Sequence, residues 1–165
     1  MAKSIYDFTV ADIDGNNVGL SVYKGAPSLI VNFSTKDPSC EKAFSMLAQL
    51  RDKYNIADCR KDLNILLFPC YQFGAKESVR ELVEFFERNG DVGDVFAEID
   101  VNGPKSHELY KFLKQTKPGN CGGFITSNFT MFLVDKNGIP VERFTSTMHP
   151  NFVEDIIDKM LRKEG

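Results

Sequence analysis

The chain has 165 residues, of which 42% are hydrophobic and 26% charged, and its formal net charge is −3 at pH 7. This size and composition predict one globular domain, residues 1–165, with a core of its own. No block of like charges points to nucleic-acid binding, no apolar run is long enough to cross a bilayer, and the opening segment MAKSIYDFTV lacks the apolar stretch of a secretory signal. We therefore expect an intracellular protein, in the cytoplasm or in a compartment reached by another route, without nucleic-acid or membrane partners.

Alternating apolar and polar residues on both sides of Asp14-Gly15 predict an N-terminal β-hairpin. The apolar run Ser28–Phe33 predicts a strand buried on both faces. Apolar residues at helical spacing then predict a helix that starts near Ser39 and ends near Tyr54. A second buried strand is predicted at Leu63–Phe68.

The second half of the chain alternates in the same way. The segment SVRELVEFFERN predicts an amphipathic helix ended by Asn89-Gly90, VFAEID a short strand, and SHELYKFLKQ a further helix. After the glycine-rich PGNCGG, a hairpin joins FTMFLVD to PVERF through Lys136-Asn137-Gly138, and Pro150 opens a last helix. This order predicts an α/β fold, with helices on both faces of a mixed sheet.

Cysteines and histidines are the residue types that serve redox or metal chemistry, and the chain has four cysteines and two histidines. The cysteines are Cys40, Cys59, Cys70 and Cys121, and they form no C-x-x-C pair. Since neither histidine has a spaced partner, the sequence predicts no metal and no cofactor. In a reducing compartment the thiols are expected to be free, and a disulfide from Cys40 to Cys59 or Cys121 stays open because spacing does not fix connectivity.

Short segments in chain order resemble the glutathione peroxidase family. They are SIYDFTVADIDG, YKG, LIVN, FPCYQFG, IDVNG, LYKFLK, NFTMFLVDKNG and VERF, and they cover about residues 4–161. The resemblance implies a thioredoxin-like fold of glutathione peroxidase type, with a central mixed sheet flanked by helices and an N-terminal β-hairpin. Because the stretch between IDVNG and NFT is short, the chain is similar to the short-loop branch of the family. Members of that branch are usually monomers and use thioredoxin-type reductants more readily than glutathione.

The same resemblance implies where the family's catalytic residues fall. The peroxidatic cysteine of the family lies in a strand-to-helix turn, where the helix N-terminus favours a thiolate. The family motif VNVASKCG aligns without gaps on VNFSTKDP, which puts Asp37 at the peroxidatic position. The family's glutamine falls on Gln72 and its asparagine on Asn128, whereas its tryptophan falls on Ser127 in a chain without tryptophan. Phe86 stands where short-loop members carry a resolving cysteine.

A carboxylate cannot pass through a sulfenic acid and a disulfide, as the cysteine cycle requires. The sequence therefore predicts a catalytically inactive pseudoenzyme that serves as a structural or binding component of a larger assembly, cytoskeletal or other, with a protein partner. The alternative is a divergent thiol peroxidase or redox sensor that reduces hydroperoxides through Cys40 or Cys70, with a thioredoxin-type reductant or glutathione. Cys40 is predicted in the first turn of a helix, which favours a thiolate, but Asp37 nearby opposes it.

Simpler interpretations of these residues stay open. Asp37 is either a helix cap or a group that repels anions, or else a solvated turn residue before a proline. The amides of Gln72 and Asn128 could persist only because they satisfy local backbone groups. On the predicted helix SVRELVEFFERN, one of Phe85 and Phe86 faces the core, and the other either packs nearby or is exposed for a partner.

Overall fold

The computed structural model describes residues 2–55, 61–120, 122–145 and 147–164. Cys59 and Cys121, and with them both predicted disulfide alternatives, lie outside the described residues. The strands β1 (Thr9–Ala11) and β2 (Asn17–Gly19) pair antiparallel, so the predicted N-terminal hairpin is confirmed.

A five-stranded mixed sheet forms the centre of the fold. Its strands are β3 (Ser28–Phe33), β4 (Asn64–Pro69), β5 (Asp94–Val95), β6 (Met131–Val134) and β7 (Pro140–Phe144). They are arranged in the order β5-β4-β3-β6-β7; β3, β4 and β5 run parallel, and β6 is antiparallel to both β3 and β7. The mixed sheet predicted from the element order is confirmed.

The helices lie on both sides of this sheet. They are α1 (Cys40–Tyr54), α2 (Val79–Asn89), α3 (Glu108–Thr116) and α4 (Pro150–Glu164). Within the described ranges, none of them combines the length and the apolar character that a membrane span requires.

Strand β3 supplies side chains to two separate cores. Because successive strand residues face opposite sides of a sheet, Leu29, Val31 and Phe33 join the core formed with α1, α2 and α4. Ile30 joins the core on the face that α3 covers. All six residues of β3 are buried, as the apolar run predicted.

Strand β5 is shorter than the predicted VFAEID strand, because the backbone beyond Val95 leaves the sheet. The Ala97 amide donates to the carbonyl of Ala11 in β1, at 3.0 Å, and the Ile99 amide donates to the carbonyl of Pro69, at 2.8 Å. This segment therefore links the hairpin to the end of β4.

Candidate functional site

The predicted site residues meet at one edge of the sheet. Because β3 and β4 are parallel and β6 is antiparallel to β3, the ends of β3 and β4 lie beside the start of β6. Asp37 lies in the turn between β3 and α1, Gln72 follows β4, and Ser127 and Asn128 precede β6. We call this the site edge.

Asp37 is half-buried at the start of α1, and its carboxylate accepts two hydrogen bonds. Oδ1 accepts from the Ser39 amide at 2.8 Å, and Oδ2 accepts from Nδ2 of Asn128 at 3.2 Å. Ser39, in the N-cap position, makes no side-chain capping bond of its own. Because the bond from the Ser39 amide runs two residues back along the chain, it forms an Asx turn ahead of the N-cap residue, and this turn and Asn128 together hold the Asp37 carboxylate in place.

Asn32 of β3 holds the Asn128 side chain and the backbone that follows it. Oδ1 of Asn128 accepts from Nδ2 of Asn32 at 3.3 Å, and the Phe129 amide donates to the Asn32 carbonyl at 2.6 Å. Phe129 has a φ of 62°, a left-handed conformation that is costly for a bulky residue. Its complete burial and its bond to Asn32 hold it there. The amide nitrogen of Asn128 is thereby directed at Asp37.

The side-chain amide of Gln72 hydrogen-bonds the backbone of Val101 and Asn102. Its Oε1 accepts from the amides of Val101 and Asn102, at 2.7 and 3.1 Å, and its Nε2 donates to the Asn102 carbonyl at 2.9 Å. Ser127 exposes its side chain to solvent. The structure therefore joins Asp37 to Asn128, whereas Gln72 shares the site edge but hydrogen-bonds local backbone.

Glu77 is a buried carboxylate at the site edge that sequence analysis missed. It is 3% exposed, and its Oε1 accepts from Oγ of Ser34 and from the Thr35 amide, each at 2.8 Å. Its Oε2 accepts from Oγ1 of Thr35. Glu77 thus ties the turn after β3 to the start of α2. A lone acid in a polar loop gives no signal of burial, whereas Asn32, inside an apolar strand, could have been noticed.

Cys40 is a buried and weakly acidic thiol, with 6% of its surface exposed. Burial raises its pKa to about 12, and the negative charges of Glu77, Asp37 and Glu41 add to the rise. These effects outweigh the helix N-terminus, which by itself favours a thiolate.

Replacing Glu77 by glutamine is therefore expected to lower the pKa of Cys40, because the second-largest cause of the rise is removed. A lower pKa means more thiolate at a fixed pH, so iodoacetamide should alkylate Cys40 faster at pH 9, as followed by mass spectrometry. Glu108→Gln, which removes a carboxylate on α3, is the matched control and should leave the alkylation rate unchanged. Equal rates in the Glu77→Gln variant and the unmodified protein would contradict the electrostatic origin of the shift.

Cys70 is the second described thiol, and it is completely buried at the end of β4. Burial is the main cause that raises its pKa. Both described cysteines are free, and the raised pKa of each thiol disfavours the thiolate at neutral pH.

The described histidines and acids form no metal centre. No group of three or more His, Cys, Asp or Glu side chains is arranged to hold a metal in the part of the chain that the structure describes. His107 caps α3, since its Nδ1 accepts from the Leu109 amide at 3.0 Å.

A cleft of about 620 Å³ opens beside Asp37, between α1 and α2. Phe44 and Phe85 lie along it with their ring centroids 5.6 Å apart. Phe86 is buried and packs on Phe33 and Phe44. Of the aromatic pair on α2, Phe86 therefore faces the core and Phe85 lines the cleft.

Comparison with known proteins gives consistent matches. A family model described as glutathione peroxidase matches residues 5–114. Glutathione peroxidase 1 of Helianthus annuus is 43% identical over 162 residues, which cover 96% of this chain and 95% of that protein. Phospholipid hydroperoxide glutathione peroxidase 1, chloroplastic, of Arabidopsis thaliana is 40% identical, over 96% of this chain and 67% of its own length. The crystal structure of T. cruzi GPX1 superposes with a TM-score of 0.80 at 34% identity, covering 96% of this chain and 97% of that one.

Proposed function

The chain belongs to the glutathione peroxidase family, and from that membership we propose that it is a non-catalytic member in which Asp37 occupies the peroxidatic position. Its fold is the thioredoxin-like fold of that family, as the sequence predicted. The observation that carries the proposal is the Asp37 carboxylate, bound by the Asn128 amide at 3.2 Å and the Ser39 amide at 2.8 Å. The donors that suit a thiolate at this turn bind a carboxylate instead.

The chemistry of peroxide reduction supports this assignment. A thiolate attacks one peroxide oxygen, the O–O bond breaks, the sulfur becomes a sulfenic acid, and the second oxygen leaves as water after protonation. A carboxylate cannot replace the thiolate in that step, because peroxide does not oxidise it to a species that a thiol could then reduce. Asp37 therefore contributes charge and hydrogen bonds, and Phe86 provides no second thiol for a disulfide.

The role that remains is binding. The site edge is rigid, since buried Asn32 and Glu77 fix its turns, and a cleft adjoins it. In this proposal the protein is a monomer on its own and acts inside the cell as a structural or binding component of a larger assembly, through a protein partner. The net charge of −3, without a block of like charges, favours a protein partner over a nucleic acid.

The second candidate is a thiol peroxidase or redox sensor that uses Cys40 or Cys70 with a thioredoxin-type reductant or glutathione. It is favoured by one observation, since Cys40 lies in the first turn of α1 and borders the cleft. Its burial and the three nearby carboxylates, which raise its pKa to about 12, oppose this function.

Peroxide consumption by the purified protein separates the two candidates. We expect the unmodified protein, Cys40→Ser and Cys70→Ser to consume hydrogen peroxide no faster than free cysteine at equal thiol concentration, with either a thioredoxin or a glutathione recycling system. A cysteine-containing family member serves as the positive control. Turnover above free cysteine that disappears in one of the variants would overturn the proposal and establish the second candidate.

A further inference from the structure

The cleft between α1 and α2 has different chemistry along its length. Asp37 and Glu41 lie at the end next to the site edge, Phe44 and Phe85 in the middle, and Arg51 at the far end. Glu41 and Arg51 are ten residues apart on one helix, which corresponds to about 15 Å at 1.5 Å per residue. A segment of about four or five extended residues would span this distance.

The acidic end carries two carboxylates that no cation of the described chain pairs with. No ion pair among the described residues includes Asp37 or Glu41. The buried carboxylate of Glu77 lies behind them and adds negative potential, in agreement with the raised pKa of Cys40. Asp37 accepts one hydrogen bond at each oxygen, so acceptor capacity remains for a ligand.

Of the described residues that line the cleft, Arg51 is the one cation, and it is already engaged. Arg51 forms an ion pair with Asp52 at 3.0 Å, and its Nη1 donates to the carbonyl of Asp91. Lys36 forms an ion pair with Glu81 at 3.1 Å. The charge left unpaired in the cleft is therefore negative and lies at the Asp37 end.

The middle of the cleft has an apolar floor. Phe44 and Phe85 are half-buried and lie with Ala48 and Val92 along it, and polar Ser45 and Asn89 line the same part of the cleft. The volume of about 620 Å³ falls among clefts that hold ligands, about 300–1,000 Å³. An apolar side chain can therefore be buried next to the acidic end.

We propose that this cleft binds an extended peptide segment of a protein partner that carries a lysine or arginine beside an apolar residue. The cation lies at Asp37 and Glu41, and the apolar side chain lies against Phe44 and Phe85. An acidic segment is excluded by repulsion from the same carboxylates. The inference rests on the proposed function, because it names the chemistry of the partner that a non-catalytic member would bind.

The binding of three fluorescein-labelled hexapeptides, measured by fluorescence anisotropy, tests the proposed peptide specificity of the cleft. One contains leucine-lysine-phenylalanine between glycines, and the others replace the lysine by acetyl-lysine or glutamate. We expect the lysine peptide to bind at least about tenfold more tightly than the acetyl-lysine peptide, the glutamate peptide not to bind, and the preference to shrink between 50 and 300 mM salt.

Variants locate the binding in this cleft. The double variant Asp37→Asn, Glu41→Gln should lose the preference for lysine over acetyl-lysine, and Phe85→Ala should weaken both peptides. Glu108→Gln, which removes an exposed carboxylate on α3, should change neither. Equal affinities for the lysine and acetyl-lysine peptides, no binding of the lysine peptide, or an unchanged preference in the double variant would each overturn the inference.

The outcome is independent of the test of the proposed function, because one experiment reads peptide binding and the other reads peroxide turnover. Turnover together with the lysine preference would remove the proposed function and leave the cleft assignment standing. Absence of both turnover and the lysine preference would leave the proposed function standing and remove the cleft assignment.

Discussion

Replacing Asp37 by cysteine is expected to create a thiol that reacts with hydrogen peroxide at least about tenfold faster than free cysteine at pH 7. The new thiol would take the place of a carboxylate that faces the amides of Asn128 and Ser39 at the start of α1. Such surroundings lower a thiol pKa, so that the thiolate fraction rises from a few per cent to most of the population. Glu77 and Glu41 oppose this change, and adding Glu77→Gln should increase the rate further.

The Asp37→Cys substitution creates a C-x-x-C pair with Cys40, whose free thiol condenses with the new sulfenic acid to a disulfide and water. The expected products are therefore a disulfide to Cys40 in the Asp37→Cys variant and one equivalent of sulfenic acid and water, without turnover, when Cys40→Ser is added. Stopped-flow measurement of peroxide loss, followed by mass spectrometry of the protein, records the rate and the product. Pro38→Cys places an exposed thiol one residue away, outside the Asn128 bond, and is the matched control. Equal rates for the Asp37→Cys and Pro38→Cys variants would contradict the assignment of the turn.

Replacing Glu77 by alanine is expected to lower the free energy of unfolding by about 3 kcal/mol, because hydrogen bonds to a charged acceptor are lost and buried donors remain unpaired. The donors are Oγ of Ser34 and both the amide and Oγ1 of Thr35. Their loss frees the turn after β3 from the start of α2. Urea denaturation measures the change.

Glu84→Ala, on the exposed side of α2, is the control for the Glu77 variant. Among the described residues Glu84 pairs with the exposed Arg80, so the expected change is below about 0.5 kcal/mol. Equal losses in the two variants would show that the buried carboxylate does not anchor the turn.

Local sequence patterns predicted the strands and helices well because their signals lie within the elements themselves. The apolar run Ser28–Phe33 has the same bounds as β3. The strand VFAEID was predicted too long because its backbone hydrogen-bonds Ala11 and Pro69, contacts that no local pattern contains.

The candidate site depends on contacts between distant parts of the chain, which periodicity cannot predict. Asp37 and Asn128 are 91 residues apart, and their proximity followed only from the family resemblance. Glu77 reaches Ser34 across 43 residues, and neither periodicity nor the resemblance singled it out. The resemblance placed Gln72 at the site edge, where it does lie, but its bonds to residues 101–102 became visible only in the structure.

If the chain has no peroxidatic thiol, as we propose, hydrogen peroxide should form no sulfenic acid on it at an enhanced rate, and chemical trapping of sulfenic acid measures this. The unmodified protein is mixed with one equivalent of hydrogen peroxide in the presence of dimedone, and adducts are followed by intact mass and peptide mapping. We expect adducts to accumulate no faster than on free cysteine. A rapid, stoichiometric adduct on Cys40, Cys59, Cys70 or Cys121 would contradict it and identify the nucleophile.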